Sequence, residues 1–127
     1  LMPNWTANTL ELSGSKEATQ KFLDMMGDDF DFEKIIPKPD DSDDWREWSI
    51  ENWDTKWNAC QCEPVKIEEY PAISMRILVY RFDTAWSTPE KVIRKVAKDW
   101  PDLEVSGGWI SEGYEDCGNF YSFGDYD

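Results

Sequence analysis

The residues with the means to do chemistry form three groups, and histidine is in none of them. Its absence removes the usual general base near neutral pH, the usual triad partner and the commonest metal ligand. Any catalysis must rest on carboxylates, lysine, tyrosine or cysteine. The first group is Asn52, Asp54, Thr55 and Lys56 with Asp83 and Thr84, two polar stretches set between Trp53, Trp57 and Trp86. Lys56 and Asp83 are expected to meet as a partly buried ion pair roofed by Trp57 and Trp86. One reading is a small pocket holding an amine and a carboxylate, with Asn52 beside them. The favoured reading is a clamp between two segments, since hydrogen-bonded buried charge pairs commonly fix structure.

The second group is Cys60, Cys62 and Cys117. Three sulfurs need a fourth ligand to hold zinc, and C-x-C is not the usual spacing, so ordinary reduced thiols are expected and no metal is assigned. The third group is Asp40, Asp41, Asp43 and Asp44. It lacks the glycine and distal glutamate of a calcium-binding loop and reads as a solvated run. No phosphate-binding loop, dinucleotide fingerprint or nucleophile elbow is present, so no cofactor is expected.

The elements that position these residues follow from periodicity. Residues 6–13 alternate around Leu10 and Leu12 as a first strand. Ser13, Gly14 and Ser15 supply a turn and a helix cap, Ala18, Phe22, Met25 and Met26 recur at helical spacing, and Gly27 ends the helix. Residues 65–70 are a second strand. Residues 74–82 are a third, apolar on both faces and therefore central. Ser87 and Glu90 stand at capping-box spacing before a helix whose stripe is Val92, Ile93, Val96, Ala97 and Trp100. Strands at 103–110 and 119–123 complete the order. The reading is a single α+β domain over residues 1–127, a ferredoxin-like βαββαβ sandwich with an antiparallel sheet and two helices on one face. Residues 28–64 have no sustained period and read as a long irregular insertion, acidic and rich in tryptophan.

Charge decides the expected partners. The 127 residues carry 27 acids against 13 bases, a formal net charge of −14. Twelve acids face three bases over residues 24–54, and seven acids face none over residues 102–127. Such a chain is expected to be monomeric and to avoid duplex DNA, which needs a basic footprint. No apolar run approaches a membrane span and the N-terminus lacks the features of a secretory signal, so a cytoplasmic setting is expected. Trp45, Trp48, Trp53 and Trp57 lie inside the acidic insertion. They form either a second small core or aromatic anchors ringed by carboxylates, the pattern of interface hot spots.

Several stretches resemble the YubB-like family of bacteriophage and conjugative-plasmid proteins. They are Met2-Pro3-Asn4-Trp5 with Asn8 and Thr9, Phe32-Glu33-Lys34-Ile35-Ile36-Pro37, Asn52-Trp53-Asp54-Thr55-Lys56-Trp57-Asn58-Ala59, Phe82-Asp83-Thr84-Ala85-Trp86-Ser87-Thr88-Pro89, and Glu112-Gly113. The resemblance implies a ferredoxin-like domain in a mobile-element setting and supplies no catalytic residue. Thr6 stands where that family commonly has cysteine, and Asp54 where it commonly has glycine.

These readings point to a non-enzymatic acidic binder, of anti-CRISPR or anti-restriction type, that docks on a host protein with a basic surface as a mimic of DNA. The expected contact residues are Asp40, Asp41, Asp43, Asp44, Trp45, Trp48, Glu112, Glu115 and Asp116. Two alternatives stand beside it. One is a single-stranded nucleic-acid or nucleotide binder that stacks bases on exposed tryptophans beside Arg76, Arg81 and Lys56. The other is an enzyme centred on Lys56 and Asp83.

Overall fold

The computed structural model describes residues 4–40, 44–114 and 116–120. Strand β1 (Trp5–Gly14) buries Thr6, Asn8, Leu10 and Leu12 and turns Ala7, Thr9 and Glu11 the other way. That alternation commits one face to a core. Helix α1 (Lys16–Met26) begins where Ser15 Oγ accepts the Ala18 amide at 3.0 Å, and it ends at Gly27, whose φ of 79° glycine adopts freely. Strands β2 (Lys66–Tyr70) and β3 (Met75–Ala85) form a hairpin. Helix α3 (Glu90–Asp99) buries Val92, Ile93, Val96 and Ala97, and β4 (Glu104–Ser111) then returns beside β1.

The sheet is antiparallel in the order β2-β3-β1-β4-β5: β1 takes the middle, and β3, expected to be central, lies inside the sheet between β2 and β1. Strand β5 comprises Cys117–Asn119 rather than residues 119–123. Of the expected strand, residues 121–123 lie outside the described residues.

Residues 28–64 differ from the irregular insertion expected. They contain a 3₁₀ turn (Phe32–Lys34) and a third helix, α2 (Trp45–Trp53), packed on α3. The segment first feeds the main core. Phe30 stacks on Phe82 with centroids 5.0 Å apart, and Phe32 meets Phe82 at 5.8 Å and Trp53 at 5.6 Å. Trp53 is buried and donates its indole N–H to the Ile36 carbonyl at 2.9 Å, while Trp48 packs edge-on against it at 5.1 Å. Trp100 is half-buried, its ring 5.0 Å from Phe22.

The insertion is then tied down by polar bonds. Asn58 Oδ1 accepts the Phe32 amide at 2.9 Å, and its Nδ2 donates to Asp31 Oδ1 at 2.8 Å. Cys60 and Asp83 exchange backbone bonds at 2.9 and 2.8 Å, and Glu63 N–H donates to the Arg81 carbonyl at 3.0 Å. This stretch therefore prolongs the β2 edge along the far half of β3. Tyr80 closes the junction: its hydroxyl donates to the Gly27 carbonyl at 3.0 Å, and burial raises its pKa well above the ordinary range.

Because Trp53 joins α2 to the main core, Trp53→Ala is expected to cost about 3–5 kcal/mol in urea unfolding, as aromatic truncations in cores do.

Candidate functional site

The two polar stretches singled out in the sequence do approach the same region, through different partners from those expected. No ion pair or hydrogen bond joins Lys56 to Asp83. The Lys56 ammonium lies over the Trp86 ring at 4.8 Å from its centroid, a contact worth about 0.5–1 kcal/mol at an exposed site. Asn52 turns back on its own helix, donating to the Trp48 carbonyl at 2.9 Å. Thr55 and Thr84 are buried: Thr55 donates to the Trp57 carbonyl at 2.7 Å, and Thr84 Oγ1 accepts from Asn8 Nδ2 at 2.9 Å. Trp57 packs against Trp5 at 6.3 Å.

The fastening residue is Asp54. It ends α2 in the left-handed conformation, φ 63° and ψ 13°, where glycine is the easy choice. Aspartate tolerates it because its side chain finds a bond. Asp54 Oδ2 accepts the Lys91 amide at 2.8 Å, in the first turn of α3, and the Asp54 carbonyl accepts the Ser87 hydroxyl. The capping box expected at Ser87 and Glu90 does not form, because the Glu90 amide donates to the Thr88 carbonyl at 2.9 Å instead. Pro89 precedes α3 without a side-chain cap, and the cap comes from another segment. Thr6 also has a role. Thr6 Oγ1 donates to the Trp86 carbonyl at 3.2 Å, and Trp86 N–H donates to the Asn4 carbonyl at 2.8 Å. These bonds hold Trp86 at φ 75°, a strained conformation for a bulky residue. The residue is left 50% exposed.

Beneath lies a buried polar network that the strand pattern conceals. Asn8 is 2% exposed; its Nδ2 donates to Thr84 and to the Thr6 and Phe82 carbonyls, and its Oδ1 accepts the Thr88 hydroxyl at 2.8 Å. Both ends of the amide are satisfied, so the group stiffens the sheet end at little cost.

Asp83 belongs to the open face of the sheet. The register aligns Cys60, Asp83, Ala7, Ile110 and Cys117 in one row across it. Cys60 and Cys117 end that row four strand spacings apart, about 19 Å, too far to share a metal ion. Cys62 sits elsewhere, its thiol pushed up to about 11 chiefly by burial and then by the Asp29 charge. A shallow depression of about 400 Å³ includes Trp5, Asp83, Ile110 and Glu112 in its lining. It continues over Ala7 and Ile110 toward Cys117 and Asn119. Glu112 Oε2 accepts the Trp5 amide at 3.4 Å. Burial, and then the Glu63 charge, raise the Asp83 carboxyl above its ordinary range. The row below holds Arg81, Thr9, Gly108 and Asn119, with no aromatic ring to stack a base.

The expected contact residues divide. Asp40, Asp44, Glu112 and Asp116 are exposed, Trp45 is 41% exposed, and Trp48 is half-buried against Trp53. Asp41, Asp43 and Glu115 lie outside the described residues. No hydrogen bond or ion pair joins Asp40 or Asp44 to Glu112 or Asp116 among the described residues. Arg76 is buried rather than poised beside an exposed ring. No described helix is long and apolar enough to cross a membrane.

Asp54→Ala loses a cap and keeps the left-handed backbone, and is expected to cost about 2 kcal/mol by urea unfolding. Asp54→Gly exchanges the lost cap for relief of strain and is expected to fall within about 1 kcal/mol of wild type. For Asp83, a raised folded pKa means that the unfolded chain sheds this proton first as pH rises. Its contribution to stability is thus present in acid and lost as pH climbs through the folded value. Asp83→Asn is expected to raise Tm at pH ~7 and to give no gain at pH ~3, below the ordinary carboxylate range. Scanning calorimetry at the two pH values checks it.

Comparison with known proteins agrees with this fold. Residues 52–124 match the family described as the ferredoxin-like domain in Api92-like protein. No curated protein and no solved structure matches the chain. The matched span runs from the end of α2 through β5 and covers more than half of the chain, so the chain belongs to that ferredoxin-like family.

Proposed function

We propose that the chain is a non-enzymatic acidic binding protein of a phage or plasmid. In this reading it inhibits a host nucleic-acid-binding or defence protein, as anti-CRISPR and anti-restriction proteins do, by offering carboxylates where that partner expects phosphates. The observation that carries it is the acidic ridge of α2. Asp44, Glu47 and Glu51 recur at spacings of three and four and so share one side of the helix, away from buried Ser49 and Trp53. The hydrogen bond with Asp44, then the charges of Asp44 and Glu51, raise the Glu47 carboxyl above its ordinary range. Carboxylates kept together against their own repulsion suit a cationic partner. Trp45 and Ile50, 41% and 51% exposed, stand on the same helix as apolar contacts.

The mobile-element setting rests on the resemblance to YubB-like proteins. A cytoplasmic setting is supported by three free cysteines, with Cys117 exposed. No observation favours base stacking or catalysis at Lys56 and Asp83 over this reading. The test is affinity capture from a bacterial host lysate at low salt, with the captured proteins identified by mass spectrometry. A basic nucleic-acid-binding protein is expected, released above ~0.5 M salt as screening removes the attraction. The Asp44→Asn, Glu47→Gln, Glu51→Gln triple variant is expected to lose it. Equal capture by the triple variant, or capture insensitive to salt, overturns the proposal.

A further inference from the structure

At the other end of the sheet from Asp83, the register places Arg76 on the covered face of β3, between Gly14 and Glu69. Arg76 is 9% exposed. Its Nη1 donates to Gln20 Oε1 at 2.8 Å. Its Nε is buried and makes no hydrogen bond; the nearest carboxylate oxygen, Glu69 Oε1, is 3.6 Å away on a side chain 57% exposed. Nη2 has no hydrogen-bond partner among the described residues. The Nε–Nη2 side, the fork that grips an oxyanion with two parallel bonds, thus meets only Glu69, in a loose ion pair without a hydrogen bond. A buried donor without an acceptor is costly, and each such group calls for an explanation.

Arg76 also lines a cavity of about 520 Å³ between the β2–β3 turn and the start of α1, together with Ser15, Lys16, Glu17, Glu69 and Ser74. Ser15 caps only the Ala18 amide. The Lys16 and Glu17 amides have no partner among the described residues, and they carry the positive end of an eleven-residue helix.

We propose that this cavity binds a phosphate group. Donors approach from two sides, the guanidinium edge and the helix start. A tetrahedral group with several acceptor oxygens engages both, whereas a planar carboxylate is satisfied by the edge alone. Glu69 is the internal competitor: it hovers at that edge, and its charge opposes any incoming anion.

The test is a nitrogen-edited NMR titration of the intact chain with inorganic phosphate, at ionic strength held constant with chloride, and in parallel with acetate. Saturating shifts are expected at the Arg76 Nε–H and the Lys16 and Glu17 amides, with a dissociation constant of about 1 mM or tighter. Glu69→Gln removes the competitor and is expected to tighten binding about threefold. Arg76→Lys keeps the charge without the fork and is expected to weaken it at least about tenfold. Absence of saturation overturns the proposal, as does acetate binding as tightly as phosphate, or Glu69→Gln leaving affinity unchanged. Should Arg76→Lys unfold the chain, the Glu69→Gln comparison decides alone, because that side chain is exposed and a merely structural Arg76 would not respond to it.

Discussion

The left-handed turn at Asp54 joins three parts of the fold through one residue. It stops α2, it sends the chain back toward the sheet, and its carboxylate caps α3 across the gap. Without that bond the start of α3 has no side-chain cap, since Pro89 offers none. With it, the insertion and α3 are fixed relative to each other. Lys91 adds a second tie, its ammonium donating to the Glu51 carbonyl and lying 3.9 Å from Asp54 Oδ1. The placement of Lys56 on Trp86 follows, because residues 54–57 leave the turn directly above residues 86–91. Aspartate at this position is thus a joint that glycine would leave open. The strain of a positive φ, about 1 kcal/mol, is offset by a bond of similar worth.

The same economy shapes the charge distribution. Several of the few cations make contacts with other parts of the chain. Lys34 donates to the Met26 carbonyl at 2.9 Å, Arg76 to Gln20, Lys91 to the α2 end, and Lys56 lies over Trp86. Arg94 and Lys95 pair with acids one turn away on their own helix. None of the five ion pairs among the described residues reaches Asp44, Glu47, Glu112 or Asp116. Several basic groups, most of them exposed, serve as ties between segments or along one helix, while the acids of α2 keep their field for a partner to meet.

Much of the framework was readable in the sequence because two-fold and helical periods survive wherever one face is apolar. Strand β1, α1 with its Ser15 and Gly27 caps and α3 follow that logic within a residue or two, and β3 runs three residues past its expected end. Helix α2 escaped it for a physical reason. Its core-facing positions include Ser49 and Asn52 as well as Trp48 and Trp53, so no clean apolar stripe appears in nine residues. Its cap, Asp44, is hidden in an acidic run that looks like a solvated loop. Capping-box spacing at Ser87 misled because α3 begins later, at Glu90, whose amide donates to the Thr88 carbonyl rather than to Ser87. Asn8 and Arg76 sit at inward positions of strands that read as ordinary edge or polar sites. Only the paired register shows them buried.

The open face of the sheet bears on the kind of binding this domain supports. Sheets that bind single strands present aromatic rings at central positions, with cations beside them. Here the central rows carry Asp83, Ala7 and Ile110, then Arg81, Thr9 and Gly108. They offer small side chains, one carboxylate and one guanidinium. The exposed large apolar residues lie away from them: Trp86 beyond the end of β3, Trp45 and Ile50 on α2, and Ile67, Tyr70 and Ile73 around the β2–β3 turn. A partner seeking apolar anchors would therefore engage the rims and the added helix rather than the middle of the sheet. On α2 those anchors stand on the same nine-residue helix as the acidic ridge, so a single contact there combines desolvation with charge attraction, and salt weakens only the second.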